Sequence, residues 1–156
     1  RGIIFTGASG VGKSSLLAAF RQQGASFLSD DVAAVTIDAD GTPWLHPAYP
    51  QQKLWRDSAE AMGLDLDNRS RVSPNQDKYV MPSIAGFSSA KVPLAAICEL
   101  QPTSCADVSI HSLNQRDTLS VLMLNTYRHW LIRGLGVQAD HFQQCTKLST
   151  KRLSRN

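Results

Sequence analysis

The sequence predicts an α/β fold in which a sheet containing a phosphate-binding loop is flanked by helices. Two observations carry this prediction. Short apolar runs alternate with segments whose apolar residues recur at helical spacing, and the first run leads through a glycine-rich segment into a helix. The chain has 156 residues, of which 42% are hydrophobic and 19% charged, so residues 1–156 are predicted to form one folded domain.

The first quarter of the chain predicts two strands around one helix. Residues 3–6 are a short apolar run typical of a buried strand. Residues 14–23 have a helical apolar face, and Gly24 is placed to end that helix. Residues 25–29 predict a second strand, which would end at the acidic pair Asp30-Asp31. The chain therefore opens with the order strand, loop, helix, strand.

The middle of the chain predicts extended segments, one helix and a long loop. Residues 32–37 read as extended chain, and Asp40-Gly41 predicts a hairpin turn. Residues 52–62 predict a helix that Gly63 ends. Residues 64–81 are polar and rich in turn-forming types, so they predict an extended and functional loop.

The last third predicts one strand and two helices. Residues 93–100, PLAAICEL, are nearly continuously apolar, which is typical of a strand covered on both faces. Residues 116–132 predict the longest helix, stopped by Gly134 and Gly136. Residues 140–148 predict a shorter final helix. Because the chain begins directly on its first strand, further N-terminal strands of the domain are expected upstream.

The strongest motif is the segment GASGVGKS, which fits the pattern G-x-x-x-x-G-K-[ST] between a strand and a helix. Glycines there allow positive φ angles, so that successive amide groups can converge on phosphate oxygens at a helix N-terminus. The residues predicted to bind a nucleotide are Gly7, Ala8, Ser9, Gly10, Val11, Gly12, Lys13 and Ser14. The expected ligands are ATP and Mg²⁺: Lys13 would bridge the terminal phosphates, and the Ser14 hydroxyl would bind the metal.

The adjacent pair Asp30-Asp31 is the second signal for a site. Carboxyl ends of strands point toward the ligand in doubly wound sheets, so both carboxylates are expected near the phosphates. One carboxylate suffices for Mg²⁺, and a second could accept a proton from an attacking hydroxyl. An Asx turn or a helix cap is the structural alternative for the pair.

Residues 7–35, GASGVGKSSLLAAFRQQGASFLSDDVAAV, resemble the core of HPr kinase/phosphorylase. That family has a loop of the form GxSGVGKS, a helix, a Gly before the next strand and an Asp-Asp pair. The separation of 17 positions between Lys13 and Asp30 agrees with the family pattern. The likeness returns at residues 125–128, Asn-Thr-Tyr-Arg, which resemble an Asn-Tyr-Arg stretch in a late helix of the family.

The resemblance implies an ATP-dependent serine kinase whose fold is akin to that of phosphoenolpyruvate carboxykinase. It implies that Asp30 is the base that activates the acceptor serine, with Asp31 as its partner in holding Mg²⁺ or in orienting the site. The implied metal ligands are then Ser14 and Asp31, and the catalytic set is Asp30, Asp31, Lys13 and Lys78. Lys78 enters as a lysine of the polar loop that would stabilise transferring phosphate, with ordinary surface charge as its alternative.

The chain departs from the family at several positions. Ala8 stands where the family's loop has an acidic residue. The family's N-terminal domain and the histidine before its loop have no counterpart here. The segment Arg133-Gly134-Leu135-Gly136 follows the late helix rather than preceding it, so it is interpreted as a helix end. Phosphorylase activity and HPr as the substrate are therefore not expected.

The segment LHPAYPQQKLW, residues 45–55, resembles the small HPr-kinase-like proteins of peptide-modification systems, including lasso-peptide precursor kinases. The resemblance implies a peptide or protein partner with an acceptor serine. Within this segment, His46 is more plausible as a packed loop residue than as a catalytic one. Lys53 could approach transferring phosphate if the predicted helix starts at the site, but the solvated face of that helix is its expected place.

Composition limits the other partners. A net charge of +3 is too mild to indicate nucleic acid, and no apolar run approaches the ~18 residues of a membrane span. Three cysteines without a paired framework favour a cytoplasmic protein with reduced thiols. We expect neither a nucleic acid nor a membrane partner, and association into a homo-oligomer is left open.

Two other functions share the loop and remain open. A small-molecule kinase would use Lys13, Ser14 and an acidic base, with Arg69 and Arg71 as a sparse version of an arginine-rich lid. An ATP-binding switch or assembly module would hydrolyse ATP slowly, with water as the acceptor. Paired aspartates fit a hydroxyl acceptor better than water.

Overall fold

The computed structural model describes residues 1–82, 85–104 and 107–150, and it shows a mixed α/β fold with parallel and antiparallel strand pairing and flanking helices. The elements in chain order are β1 Gly2–Thr6, α1 Lys13–Gln22, β2 Ala34–Ile37, β3 Pro43–His46, β4 Gln51–Trp55, α2 Arg56–Ala61, β5 Arg71–Ser73, β6 Gln76–Pro82, β7 Val92–Glu99, α3 Gln115–Leu124, α4 Trp130–Gly134 and α5 Gln138–Thr150. In this part of the chain, no helix combines the length and apolarity needed to cross a bilayer.

The described residues form two compact units. The first unit contains residues 1–11, 37–43 and the described residues from 93 onward; the second contains residues 12–36 and 44–92. In the first unit, β1 pairs in parallel with β7. Helices α3 and α5 pack against each other, and α5 buries Cys145 and Ser149.

The second unit is built on an antiparallel sheet with the strand order β4-β6-β5. Its core joins α1, the sheet and α2 through five buried residues: Ala18, Leu54, Ala59, Tyr79 and Met81. Pleating places successive residues of β4 on opposite faces. Gln52 and Leu54 are therefore buried, whereas Lys53 lies on the other face.

Several sequence predictions for the fold are confirmed. The first strand and the first helix lie within one residue of their predicted bounds, and Gly24 follows the helix with φ 89°. The Asp40-Gly41 turn is present between β2 and β3, with the Asp38 amide donating to the Thr42 carbonyl at 3.1 Å. The strand predicted over residues 93–100 and the final helix are also present.

The strand predicted over residues 25–29 is wrong, because only Phe27 makes a bridge there, to Phe87. The Phe27 amide donates to the Gly86 carbonyl at 2.8 Å, and the Ser88 amide donates to the Phe27 carbonyl at 2.9 Å. The segment is apolar because Phe27 is buried and packs edge-on against Phe87. The Asp30-Asp31 pair consequently follows a loop rather than a strand.

The helix predicted over residues 52–62 is wrong in its first half, because β4 occupies Gln51–Trp55 and α2 begins only at Arg56. The end predicted at Gly63 is confirmed, with φ 66°. The loop predicted over residues 64–81 is also wrong in its second half, since β5 and β6 form a hairpin there. That hairpin is polar on its surface, but it buries Tyr79 and Met81.

The long helix predicted over residues 116–132 is divided into α3 and α4. Asn125 ends α3, and its side-chain amide donates to the Val121 carbonyl at 2.9 Å. Arg128 adopts φ 49°, which a continuous helix cannot accommodate. The interpretation of residues 133–136 as a helix end is confirmed, because α4 ends at Gly134 and Gly136 has φ 70°.

Candidate functional site

The glycine-rich segment forms a loop in which three residues have positive φ angles. Gly7, Gly10 and Gly12 have φ values of 135°, 84° and 98°. A Cβ added at Gly10 or Gly12 would meet nothing within 4 Å, so the space in front of the backbone is open there. Positive φ angles and open space are what amide groups need in order to face an anion.

Gly7 is required for a different reason. A Cβ at this position would lie 2.5 Å from the Leu100 carbonyl oxygen, which is a backbone atom. The Gly7 amide donates to the Asn125 side-chain oxygen at 3.2 Å. Asn125 lies at the end of α3 and is the first residue of the stretch 125–128 that resembles HPr kinase/phosphorylase. Through this hydrogen bond to Gly7, that stretch contacts the glycine-rich loop.

Lys13 and Ser14 are the first two residues of α1. Gly12 precedes them as the N-cap in the left-handed conformation, and no acidic residue lies in the first turn. The first amides of a helix lack partners within the helix and carry partial positive charge, so this end favours an anion. Lys13 and Ser14 are both partly buried.

Asp30 lies in the second unit with its carboxyl group largely buried. The Lys53 backbone amide donates to Asp30 Oδ2 at 2.8 Å. Oδ1 is buried and has no partner that meets hydrogen-bond geometry in the described part of the chain. Burial raises the pKa of this carboxyl above its usual value, and the contacts from the Lys53 amide and the Ser14 hydroxyl oppose that rise.

Asp31 has different surroundings, although it is the next residue. Its Oδ2 forms an ion pair with the Lys53 ammonium, and 54% of its side chain is exposed. The structure thus brings Ser14 to Asp30 and brings Asp31 to Lys53. The two carboxylates share one lysine residue, which contacts Asp30 through its backbone and Asp31 through its side chain.

Gln52 links the start of α1 to the sheet. Its side chain is 0% exposed. Its amide nitrogen donates to the Ser14 carbonyl at 2.7 Å, and its amide oxygen accepts from Arg21 at 2.8 Å. Burial lowers the pKa of Arg21, and the nearby Asp30 charge opposes this effect. The buried Gln52 amide group is hydrogen-bonded through both its nitrogen and its oxygen, and it therefore fixes the backbone carbonyl of Ser14, the predicted metal ligand.

Lys78 is not part of a loop, which corrects the prediction, since it lies partly buried on β6. Its ammonium is 5.8 Å from the centre of the Trp55 ring. Its charge acts on Asp30 and lowers the pKa of that carboxyl slightly against the effect of burial. The charge of Lys78 therefore acts on Asp30, but Lys78 lies on a strand rather than on a mobile lid.

A cavity of about 190 Å³ lies beside the aspartate pair. Its lining includes Asp30, Asp31, Lys53 and the exposed Tyr49. Such a volume suits one small side chain rather than a whole drug-sized ligand.

His46 makes its hydrogen bond away from the aspartate pair. Its Nε2 lies 2.7 Å from the Thr36 hydroxyl, which favours a packing role.

The donor set is compatible with Mg²⁺. In the described residues, no three His, Cys, Asp or Glu side chains form a cluster that could hold a metal. A magnesium ion on a nucleotide needs few protein ligands, because phosphate oxygens and water complete its octahedron. The Ser14 hydroxyl and the half-exposed Asp31 carboxylate are oxygen ligands of the kind it prefers.

No protein-family model, curated protein or solved structure matches this chain. The resemblance to HPr kinase/phosphorylase therefore rests on the sequence segments that carry it.

Sequence reasoning did not find Gln52, and it considered Lys53 only as a lysine that could approach transferring phosphate, with a solvated helix face as the default. Both were assigned to a helix, where neighbouring residues point about 100° apart rather than to opposite faces. On β4 they face opposite sides and contact the two parts of the site. A half-buried strand is recognised by alternating polar and apolar residues. Residues 51–54 do not show that alternation, because the buried Gln52 is itself polar.

Proposed function

We propose that this protein is an ATP-dependent kinase that transfers the terminal phosphate to a serine hydroxyl of a peptide or protein. Residues 7–14 would bind the triphosphate, with Lys13 on the terminal phosphates. The aspartate pair and the adjacent cavity would receive the acceptor. A lasso-peptide precursor is one such acceptor, as the resemblance of residues 45–55 implies.

In the proposed reaction, the serine oxygen forms a bond to the γ-phosphorus while the bond from that phosphorus to the β–γ bridging oxygen breaks. ADP leaves with the bonding electron pair. The serine proton passes to Asp30 Oδ1, whose partner Oδ2 is held by the Lys53 amide. Lys13 and Lys78 lie in the same unit as Asp30 and supply positive charge for the transferring group.

Magnesium would be held by the Ser14 hydroxyl, with Asp31 contributing through metal-bound water. The Asp31–Lys53 ion pair uses Oδ2, which leaves Oδ1 for such a contact. When bound, the ion neutralises charge that develops on the β- and γ-phosphate oxygens.

The observation that carries the proposal is the state of Asp30. A largely buried carboxyl beside the hydroxyl of the serine that ends a glycine-rich loop is costly to keep charged unless it has a use. Raised carboxyl pKa values in a cleft are typical of proton acceptors. A triphosphate bound at Lys13 and Ser14, which lie in the same unit as Asp30, would give this carboxyl a reaction.

The test is transfer of label from γ-labelled ATP to three acceptors: a serine peptide, a small alcohol and water. Label on the peptide, lost in its Ser-to-Ala version, supports the proposal. Label on the alcohol alone would make the protein a small-molecule kinase. Slow release of inorganic phosphate without acceptor labelling would make it an ATP-binding switch. If the folded protein does not bind ATP, the whole proposal is wrong.

A further inference from the structure

Lys53 contacts both carboxylates of the candidate site, using a different group for each. Its backbone amide donates to Asp30 Oδ2 at 2.8 Å. Its ammonium forms the ion pair with Asp31 Oδ2. Because the first contact comes from the main chain and the second from the side chain, a substitution at position 53 can remove one contact and keep the other.

The position of Lys53 is itself fixed by the sheet. Lys53 pairs with Val80 in the antiparallel register of β4 and β6. Its neighbours Gln52 and Leu54 are 0% and 1% exposed, so the strand has little freedom to rotate or slide. The ammonium end is partly exposed, with 31% of the side chain accessible, yet it is held by Asp31 rather than by solvent alone.

Other charged groups also act on Asp30. Lys78 reaches it from β6 and Arg21 from α1, while the adjacent Asp31 repels it. Two adjacent carboxylates repel each other, so a fixed arrangement of the pair needs contacts that hold each of them in place. Lys53 is placed to do this, since it draws Asp31 toward its ammonium while its amide keeps Asp30 in place.

We propose that Lys53 is a positioning residue, which holds the aspartate pair so that Asp30 Oδ1 faces the acceptor hydroxyl. This inference rests on the proposed kinase function. It assigns Lys53 no contact with the nucleotide. Its effect should appear in the transfer step, because a displacement of about 1 Å in a reacting group can cost about 10²-fold in rate.

The test compares Lys53→Met and Lys53→Arg with the wild-type protein in peptide phosphorylation. Lys53→Met keeps the stem and the backbone amide but removes the ammonium. We expect kcat to fall about tenfold or more, while KM for ATP stays within about twofold. Lys53→Arg should recover most of kcat, because guanidinium also pairs with a carboxylate.

Lys91→Met is the matched control. Lys91 belongs to the same unit, and its ammonium lies 4.6 Å from the Trp44 ring centre. This variant loses the same charge and should keep kcat within about twofold. A wild-type kcat in Lys53→Met overturns the proposal, and so does a loss confined to KM for ATP or an Arg variant no better than Met.

A second measurement does not depend on catalysis. Amide hydrogen exchange at Lys53 should quicken about tenfold or more in Asp30→Ala, because the acceptor of that amide is gone. The Val80 amide, which donates to the Ser70 carbonyl at 2.8 Å, is the internal reference and should not change. Unchanged exchange at Lys53 overturns the arrangement. If the wild-type protein phosphorylates no acceptor, the kinase proposal fails and the catalytic role of Lys53 fails with it, whereas the exchange result still tests the contact between the Lys53 amide and Asp30.

Discussion

Asp30 and Asp31 are adjacent in the sequence but differ in their environments. Asp30 is largely buried, whereas Asp31 is half-exposed and ion-paired with Lys53. Burial penalises the charged form of Asp30, and the ion pair holds the Asp31 side chain in place. The two side chains therefore suit different tasks, and single substitutions should separate them.

Asp30→Asn should leave ATP binding intact and reduce transfer about 10²- to 10⁴-fold, because an amide cannot accept the serine proton. The measurement is nucleotide affinity by calorimetry together with the rate of peptide phosphorylation. Asp31→Asn is the comparison, and added Mg²⁺ should restore part of its activity. Near wild-type transfer by Asp30→Asn would mean that another group is the base.

Ser14→Ala should raise the Mg²⁺ concentration needed for half-maximal transfer more than it raises KM for ATP. The substitution removes only the hydroxyl that would bind the metal. The bond from the Gln52 amide to the Ser14 carbonyl involves the backbone and is retained. Initial rates across a Mg²⁺ series provide the measurement. A series that superimposes on the wild-type curve would contradict the metal assignment for Ser14.

The sequence predicts site residues that are contiguous in a motif, but it does not place those whose contacts depend on the fold. Gly7–Ser14 and Asp30-Asp31 are predicted because the spacing of residue types along the chain is typical of the proposed chemistry. Gln52 and Lys53 make their contacts over 38 and 23 positions. Contacts of that separation depend on strand register, which no local pattern in this chain reveals.

At the scale of elements, the errors have one physical origin: local propensity was overridden by packing. Residues 51–55 contain good helix formers, but burial of Gln52 and Leu54 against α1 and β6 favours a strand. Residues 76–82 are too polar to suggest a strand, yet Tyr79 is buried, and the guanidinium groups of Arg56 and Arg71 lie 5.0 and 5.6 Å from its ring centre. β1, α1 and α5 were predicted correctly because their apolar patterns agree with their packing.

The start of α2 is tied to β6 by an ion pair whose effect should depend on pH. Arg56 Nε donates to Asp77 Oδ2 at 2.7 Å, and this contact lowers the pKa of Asp77 below its usual value. A carboxyl whose pKa is lower in the folded state than in the unfolded state stabilises the fold. This contribution is complete at pH values above the unfolded-state pKa of about 3.9, and it is lost as the pH falls through the folded-state pKa.

Asp77→Asn should therefore lower the urea midpoint of unfolding slightly at pH 7. The difference from the wild-type protein should shrink as the pH falls below about 4, because the wild-type carboxyl then becomes protonated as well. Urea titrations at several pH values check this. Asp40→Asn, the same change at the exposed turn, is the control. A difference that is constant down to pH 2 would exclude the ion pair as its cause.

For the molecule as a whole, nucleotide binding should appear as added stability. A ligand that binds only the folded state stabilises it by about 2.7 kcal/mol at 100 times its Kd, or about 5–10 °C in Tm for a chain of this size. Mg²⁺-ATP should produce such a rise in thermal unfolding. Lys13→Ala should remove most of it, whereas Lys91→Met should respond as the wild-type protein does. Equal rises in the wild-type protein and Lys13→Ala would place the nucleotide elsewhere.

The alternation along β4 also determines which changes in chain length this strand can tolerate. If one residue of β4 were deleted before Gln52 and the strand kept its pairing with β6, every following side chain of β4 would turn to the opposite face of the sheet. Lys53 would then take the fully buried place of Gln52, and an ammonium there would lack the Asp31 carboxylate that now compensates it. Two-residue changes keep each side chain on its own face. Homologous chains should therefore vary in length here by even numbers or not at all.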